Sequence, residues 1–366
     1  MKITDVRAIP IGVPLAFDFK SALGTLTTSE YGLVTVDTDQ GIRGLGEVSL
    51  IWHGNGAPLC RLINERLAPA LRGTDPFAIT RFHELAAGLV PFSRHVLTAV
   101  AALDMALLDI QGKALGQPAY NLLGGLARER VELSMSLSMG TSDDVIKQAR
   151  KLVDAGFGTL KVKAVDAGDL EVTHRLRREF GPALKIRVDL NMACASAKEA
   201  LRLIRSIAAA DVISVEQPLR PGDLEGMAFL RERSEIPIMA DESVWGPDDA
   251  WQVVRRGAAD IANVYVSESG GPTRARQTIE LCALAGVGVA IGSMPELGLG
   301  TSAAAHVAFS AVRLDHPSDV AGHLYHADDV VTHGLRVEAG MLLPPTGDGL
   351  GVELDEEKLA RYRLDQ

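Results

Sequence analysis

Apolar and polar residues alternate through ITDVRAIPIGV, EYGLVTVDTDQG and IRGLGEVSL at the start of the chain, the period of strands with one buried face. Helical spacing follows around Pro58 to Leu71, Pro76 to Leu89 and Ser93 to Leu115, so residues 1–125 predict an α+β unit with its strands first. From Val131 the pattern changes: short apolar runs near Thr159, Lys185, Val212, Ile236, Asp260 and Val287 recur about every 25 residues. Between them lie amphipathic stretches at Asp169 to Phe180, Ala197 to Ala209, Leu224 to Arg233, Pro247 to Arg256 and Thr273 to Leu284. The helix after VELSMSLSM is opened by Thr141, Ser142, Asp143 and Asp144, residues suited to the N-terminal end of a helix and its dipole. One strand, one helix and two turns per repeat predict a parallel α/β barrel over 126–339. After His316 the alternation weakens, and GMLLPPTGDGLGVELDEEKLARY predicts a tail, 340–366, that returns to the first unit.

Composition narrows the function classes. The chain has 366 residues, 47% hydrophobic and 23% charged, enough for two compact units sharing a large core. Its formal charge of −10 and lack of a basic run argue against a nucleic-acid partner, because such binding relies on clustered Lys and Arg. Neither a cleavable leader pattern nor an uncharged apolar run near the ~20 residues of a membrane span is evident, so no membrane partner is expected. Cys60, Cys194 and Cys282 form no CxxC pair, which favours neither a disulfide framework nor a thiolate metal site and suits a cytoplasmic setting.

The barrel repeats end in charged groups. Lys161 and Lys163 are two apart in KVK and share one face of their strand, the interior one if Leu160 and Val162 face the helices. Repulsion and burial would pull a lysine there toward neutrality, as a general base requires; the plainer reading is a pair of exposed lysines on another element. Asp189, Glu216 and Asp241 each end a successive apolar run. One carboxylate there is usually a helix cap. Three on consecutive strand ends suggest a hard-cation site, Mg²⁺ by default and Mn²⁺ as alternative, with no His or Cys to favour Zn²⁺. Glu242, next to Asp241, is expected to face the other way by alternation, while Asn191 shares the face of Asp189.

Taken in order, KVK at Lys161 to Lys163, the D-x-N of Asp189 and Asn191, the EQP at Glu216, the ADES at Asp241, the SGG at Ser269 to Gly271 and the GDGLGVELDEEKL tail resemble the enolase superfamily. Within it they are most similar to the mandelate racemase and muconate lactonizing enzyme group, muconate lactonizing subgroup. The resemblance implies a (β/α)7β barrel closed by an α+β capping domain, which the N-terminal segment and the C-terminal tail build together. It implies one Mg²⁺ on Asp189, Glu216 and Asp241, Lys163 as base with Lys161 beside it, a small carboxylate substrate, and a homo-oligomer, dimer or octamer.

One position departs from that pattern. Five residues before the GG pair, where the subgroup carries lysine, this chain has Tyr265, and a phenol with a pKa near ~10 is a poor base. The expectation is one-base chemistry on Lys163, a muconate-type cycloisomerisation or a syn β-elimination of the dehydratase kind, with Tyr265 as donor or packing residue. A racemase or epimerase of the same fold is the alternative, and a metal-binding barrel without catalysis is the alternative of another class. The resemblance also places two capping loops over the barrel, 16–28 and 50–57, which bring Phe17, Phe19, Trp52 and His53 toward substrate. Asn191, Ser293 and Glu296 complete the expected substrate-side set, unless Glu296 instead caps the helix that Gly298 and Gly300 begin. His316, His323, His326 and His333 read as loop histidines.

Overall fold

The structure, a computed structural model, describes residues 1–21, 24–50, 56–90 and 93–365. Strands β1 (Ile3–Ser21), β2 (Gly24–Thr38) and β3 (Arg43–Val48) form an antiparallel meander. Its inner face packs on the helix Leu97–Leu115, which is buried along most of its length and stops at Gly116, a left-handed C-cap. Contact there is close: a Cβ on Gly46 would stand 1.8 Å from the carbonyl oxygen of Ala102. Counted from Arg94, this helix has the length and composition of a membrane span, which its sequence pattern did not suggest, but 83% of its apolar 18-residue window is buried inside the protein.

The same helix holds the molecule together through two buried aspartates. Asp109 accepts the amide protons of Leu45 in β3 (3.0 Å) and of Leu350 in the tail (2.8 Å), and Lys113 pairs with it at 2.6 Å. Asp104 accepts the amide of Thr273 (2.9 Å) at the start of a barrel helix, Pro272–Leu284. The GDGLG tail therefore returns to the first unit, as expected, and the helix end near Leu364 adds a bond to the carbonyl of Pro10 at 2.9 Å.

After β4 (Val131–Glu132), seven short parallel strands pair in chain order: β5 (Ser134–Leu137), β6 (Thr159–Lys163), β7 (Lys185–Asp189), β8 (Ser214–Glu216), β9 (Ile238–Ala240), β10 (Ile261–Val264) and β11 (Gly288–Ile291). Closure comes from a segment with no strand pattern in its sequence. Ser318 donates its amide to the carbonyl of Glu132 (3.0 Å) and accepts that of Ser134 (2.8 Å), while the Asp319 amide bonds the carbonyl of Ile291 (2.7 Å). The HPSD stretch thus fills the eighth position between β11 and β5. The tail strands β12 (Val337–Glu338) and β13 (Met341–Leu342) pair with each other, and β13 with β4.

Two expectations about local structure fare differently. The helix 142–154 begins with a full capping box at Thr141 and Asp144, as its sequence predicts. His323 and His326, however, are not loose loop residues: His323 lies in a helical turn, Gly322–Tyr325, and His326 is buried and bonded to the Ser29 hydroxyl at 3.0 Å.

Gly271 of the SGG motif has φ 115°, and a Cβ there would lie 2.4 Å from the Asp104 side chain. Gly271→Ala should therefore cost roughly 2–4 kcal/mol through backbone strain and overpacking. Chemical denaturation checks this, and an unshifted midpoint would contradict the packing described.

Candidate functional site

Register between parallel strands builds the site in two layers. In the upper one Lys163 pairs across to Asp189 and Asp189 to Glu216, so three charged residues sit side by side at the ends of β6, β7 and β8. One pleat below, Lys161 stands beside Arg187. Alternation turns all five inward because their neighbours Leu160, Val162, Ile186, Val188 and Val215 are buried against the helices.

Asp189, Glu216 and Asp241 offer oxygens that all lie within 4.8 Å of one another. Each is at most 4% exposed, so their charges need partners. Arg187, wholly buried, bonds Glu216 at 2.8 Å and Asp319 at 2.8 Å. Lys161 reaches Asp319 (2.8 Å), Glu216 (3.2 Å) and Asp189 (3.7 Å). Lys163 reaches Asp189 (2.8 Å) and the side-chain oxygen of Asn191 (3.0 Å).

The electrostatics divide the three carboxylates. Burial raises the Glu216 carboxyl, but Lys161 and Arg187 outweigh it and hold it well below the usual range. Asp241 is pushed well above its usual range by burial and by the charges of Glu242 and Glu216. The donor set is three hard oxygens with no thiolate or imidazole, which fits an oxygen-loving divalent ion such as Mg²⁺. Against expectation, Lys161 is not drawn toward neutrality: burial lowers it, but Asp319, Glu216 and Asp189 together hold it well above the ordinary lysine value.

Gln217 positions Asp241. Its side-chain oxygen accepts the amides of Asp241 (2.9 Å) and Ser243 (3.2 Å), and its nitrogen donates to the carbonyl of Leu219 (2.7 Å). Tyr265, just past β10, donates its hydroxyl to Asp241 at 2.9 Å. Burial first, then the Asp241 charge, keeps this phenol well above its ordinary pKa and hence neutral. In the strand order β6 and β10 are four places apart, so in an eight-position barrel Lys163 and Tyr265 face each other across the mouth.

Between them lies a cavity of about 170 Å³, lined by Lys161, Lys163, Asn191, Asp241, Tyr265 and Ser293 among others. Phe19, Leu50 and Tyr325 roof it from the capping side. Phe19 packs edge-on against Tyr325, with Phe17 beside both and more exposed. Trp52 and His53 fall outside the described residues. Glu296 does not line the cavity: it is buried behind it, bonded to the Ser293 hydroxyl and the Met294 amide. Nor does its side chain cap the following helix. Glu47 of β3 does that, accepting the amides of Leu297 (3.0 Å) and Gly300 (2.8 Å).

Several polar residues of the site were not singled out from sequence, and one, Glu242, was expected to face away from it. Arg187 is two before Asp189 and could have been placed by the same alternation that placed Lys161. Asp319 had no strand pattern to announce it. Glu242 turns into the cavity rather than away from it, because β9 ends at Ala240 and alternation no longer governs the residues beyond it. Glu268, in a single helical turn after Tyr265, also lines the cavity.

Comparison with known proteins agrees with this geometry. Residues 3–124 match the mandelate racemase / muconate lactonizing enzyme N-terminal domain, and 144–358 match the enolase C-terminal domain-like family. The L-Ala-D/L-Glu epimerase of Bacillus subtilis is 32% identical, over 96% of this chain and 97% of its own. The muconate cycloisomerase 1-1 of Acinetobacter lwoffii is 32% identical, over 99% and 97%. Among solved structures, N-succinyl Arg/Lys racemase from Bacillus cereus superposes with a TM-score of 0.95 at 28% identity, covering 100% of this chain and 98% of that one. Muconate lactonizing enzyme from Pseudomonas fluorescens gives 0.94 at 29%, covering 99% of each. With both family models matched in order and the barrel-mouth residues in register, the chain belongs to the mandelate racemase and muconate lactonizing enzyme family of the enolase superfamily.

Proposed function

We propose that this enzyme removes the proton α to the carboxylate of a small organic acid with one lysine, Lys163, in a Mg²⁺-dependent cycloisomerisation or syn β-elimination. The observation that carries the reading is the contrast between the two faces of the cavity: an amine at Lys163, and opposite it a neutral phenol bonded to Asp241. A divalent cation on Asp189, Glu216 and Asp241, Mg²⁺ or else Mn²⁺, would hold the substrate carboxylate and offset the charge that grows on it as the proton leaves.

The chain's own residues divide the remaining work. Lys163 takes the α-proton and can return it on the same side, to carbon or to a departing group. Asn191 and Asp189 fix where its nitrogen lies. Lys161, tied to Asp319 and Glu216, stays charged and adds positive potential beneath the reacting carboxylate. Tyr265 donates a hydrogen bond and does not accept a proton. Phe19, Leu50 and Tyr325 exclude water above. The racemase or epimerase reading, favoured by the names of several relatives, requires Tyr265 or another group to accept a proton from the second face. The three described thiols are free and buried, which suits a reducing compartment such as the cytoplasm. The proposal extends to a homo-oligomer, dimer or octamer, that sedimentation reads directly.

A screen of small carboxylates in D₂O with Mg²⁺ tests the base. Wild-type enzyme should exchange an α-proton, chelation should stop it and Mg²⁺ restore it. Lys163→Ala should lose roughly 10²–10⁴-fold in exchange with metal binding kept. Normal exchange by a metal-loaded Lys163→Ala enzyme would refute the assignment.

Stereochemistry tests Tyr265. A single enantiomer should exchange, and Tyr265→Phe should slow the reaction without changing which one. Equal exchange of both enantiomers by the wild type would favour the racemase instead.

A further inference from the structure

One wall of the cavity holds two acids that the proposed chemistry does not use. Glu268 is 1% exposed, lines the cavity, and has its Oε2 buried with no hydrogen-bond partner in the protein. Glu242 lines the same wall; its Oε1 accepts from the Asn191 amide at 3.2 Å, and its Oε2 is buried and likewise without a partner. They stand at the ends of the neighbouring strands β9 and β10. A buried carboxylate oxygen left unbonded costs on the order of 1–3 kcal/mol or more, so two in one wall call for an occupant.

The charged groups nearby are engaged elsewhere. Lys161 and Lys163 serve Asp319, Glu216, Asp189 and Asn191, and Arg187 serves Glu216 and Asp319. Arg94 is close enough for its charge to act on Glu268. It pairs with Asp249 at 2.9 Å, donates to the main-chain carbonyl of Glu242 rather than to its carboxylate, and lies over the Trp245 ring. A second metal ion fits poorly, because among the described residues only Asp189, Glu216 and Asp241 converge as a set of three or more ligands. Two buried, unpartnered carboxylate oxygens in one cavity wall, without a third ligand, match instead the N–H donors of a single protonated nitrogen.

We infer that Glu242 and Glu268 receive a cationic nitrogen of the substrate, so that the small acid handled at this site is an ammonium carboxylate rather than a plain or hydroxylated acid. The inference rests on the proposed reading in one respect: the substrate carboxylate lies at Asp189, Glu216 and Asp241. Its nitrogen then points to the wall of β9 and β10, away from Lys163, and leaves the α-proton toward the base.

Matched pairs differing only at the α-substituent test this: alanine against lactate, serine against glycerate, and valine against 2-hydroxyisovalerate. Affinities are measured by calorimetry with saturating Mg²⁺, for wild type and for the isosteric Glu268→Gln enzyme, and α-deuterium exchange is followed separately. Wild type should bind the amino member of at least one pair roughly tenfold or more tightly, as expected for a charge-assisted bond, and Glu268→Gln should shrink that preference to about twofold. Equal affinity within every pair, a preference for the hydroxy member, a preference that survives Glu268→Gln, or no binding of any amino member would each overturn the inference. The two proposals fail differently. Binding of the amino member without exchange would count against Lys163 as base and leave the nitrogen receptor standing, whereas rapid exchange of the hydroxy members alone would do the reverse.

Discussion

Three carboxylates whose oxygens lie within 4.8 Å of one another, buried in a barrel, cannot all be charged unless positive charge stands beside them. Much of the molecule answers that constraint. Arg187 is wholly buried beneath the set and bridges Glu216 to Asp319. Lys161 fills the same layer and Lys163 the one above. Burial and the charges of its acidic neighbours Glu242 and Glu216 push the Asp241 carboxyl well above the usual range. Three hard oxygens gathered this closely, with no thiolate or imidazole among them, suit a divalent ion that would supply the positive charge the set still lacks.

The first unit and the tail matter because a barrel mouth alone would leave these charges in water. A single helix, Leu97–Leu115, reaches both parts: Asp104 holds the start of the helix that follows Tyr265, and Asp109 ties β3 to the GDGLG tail. Glu47, from the same sheet, caps the helix after Ser293. The roof at Phe19 and Leu50 is therefore anchored to the elements that carry the chemistry. Burial beneath these side chains lowers the local dielectric, and that strengthens each electrostatic contact there.

How much of this was readable in the sequence depends on whether a regular strand carried the residue. Asp189, Glu216, Lys161 and Lys163 lie on strands whose apolar neighbours alternate, so period and face followed from the letters, and the order of the motifs indicated the family. Asp319 was invisible because the eighth barrel position is made by HPSD, which pairs through four backbone bonds but has no apolar alternation. Glu242 and Glu268 sit beyond the ends of β9 and β10, where chain direction is set by turns rather than by pleat. Glu296 looked like a cavity residue or a helix cap; the cap is supplied from 249 positions earlier in the chain, by Glu47, a long-range contact that no local pattern contains.

The central proposal is that Asp189, Glu216 and Asp241 form one divalent-cation site. Calorimetric titration with Mg²⁺ in buffers of differing ionisation enthalpy tests it directly, since metal entry at protonated ligands releases protons. The account predicts one Mg²⁺ per chain, proton release on binding because the Asp241 carboxyl is held above its usual range, and loss of binding in Asp189→Asn and Glu216→Gln. Binding that leaves the proton count unchanged, or that persists in both substituted proteins, would contradict it.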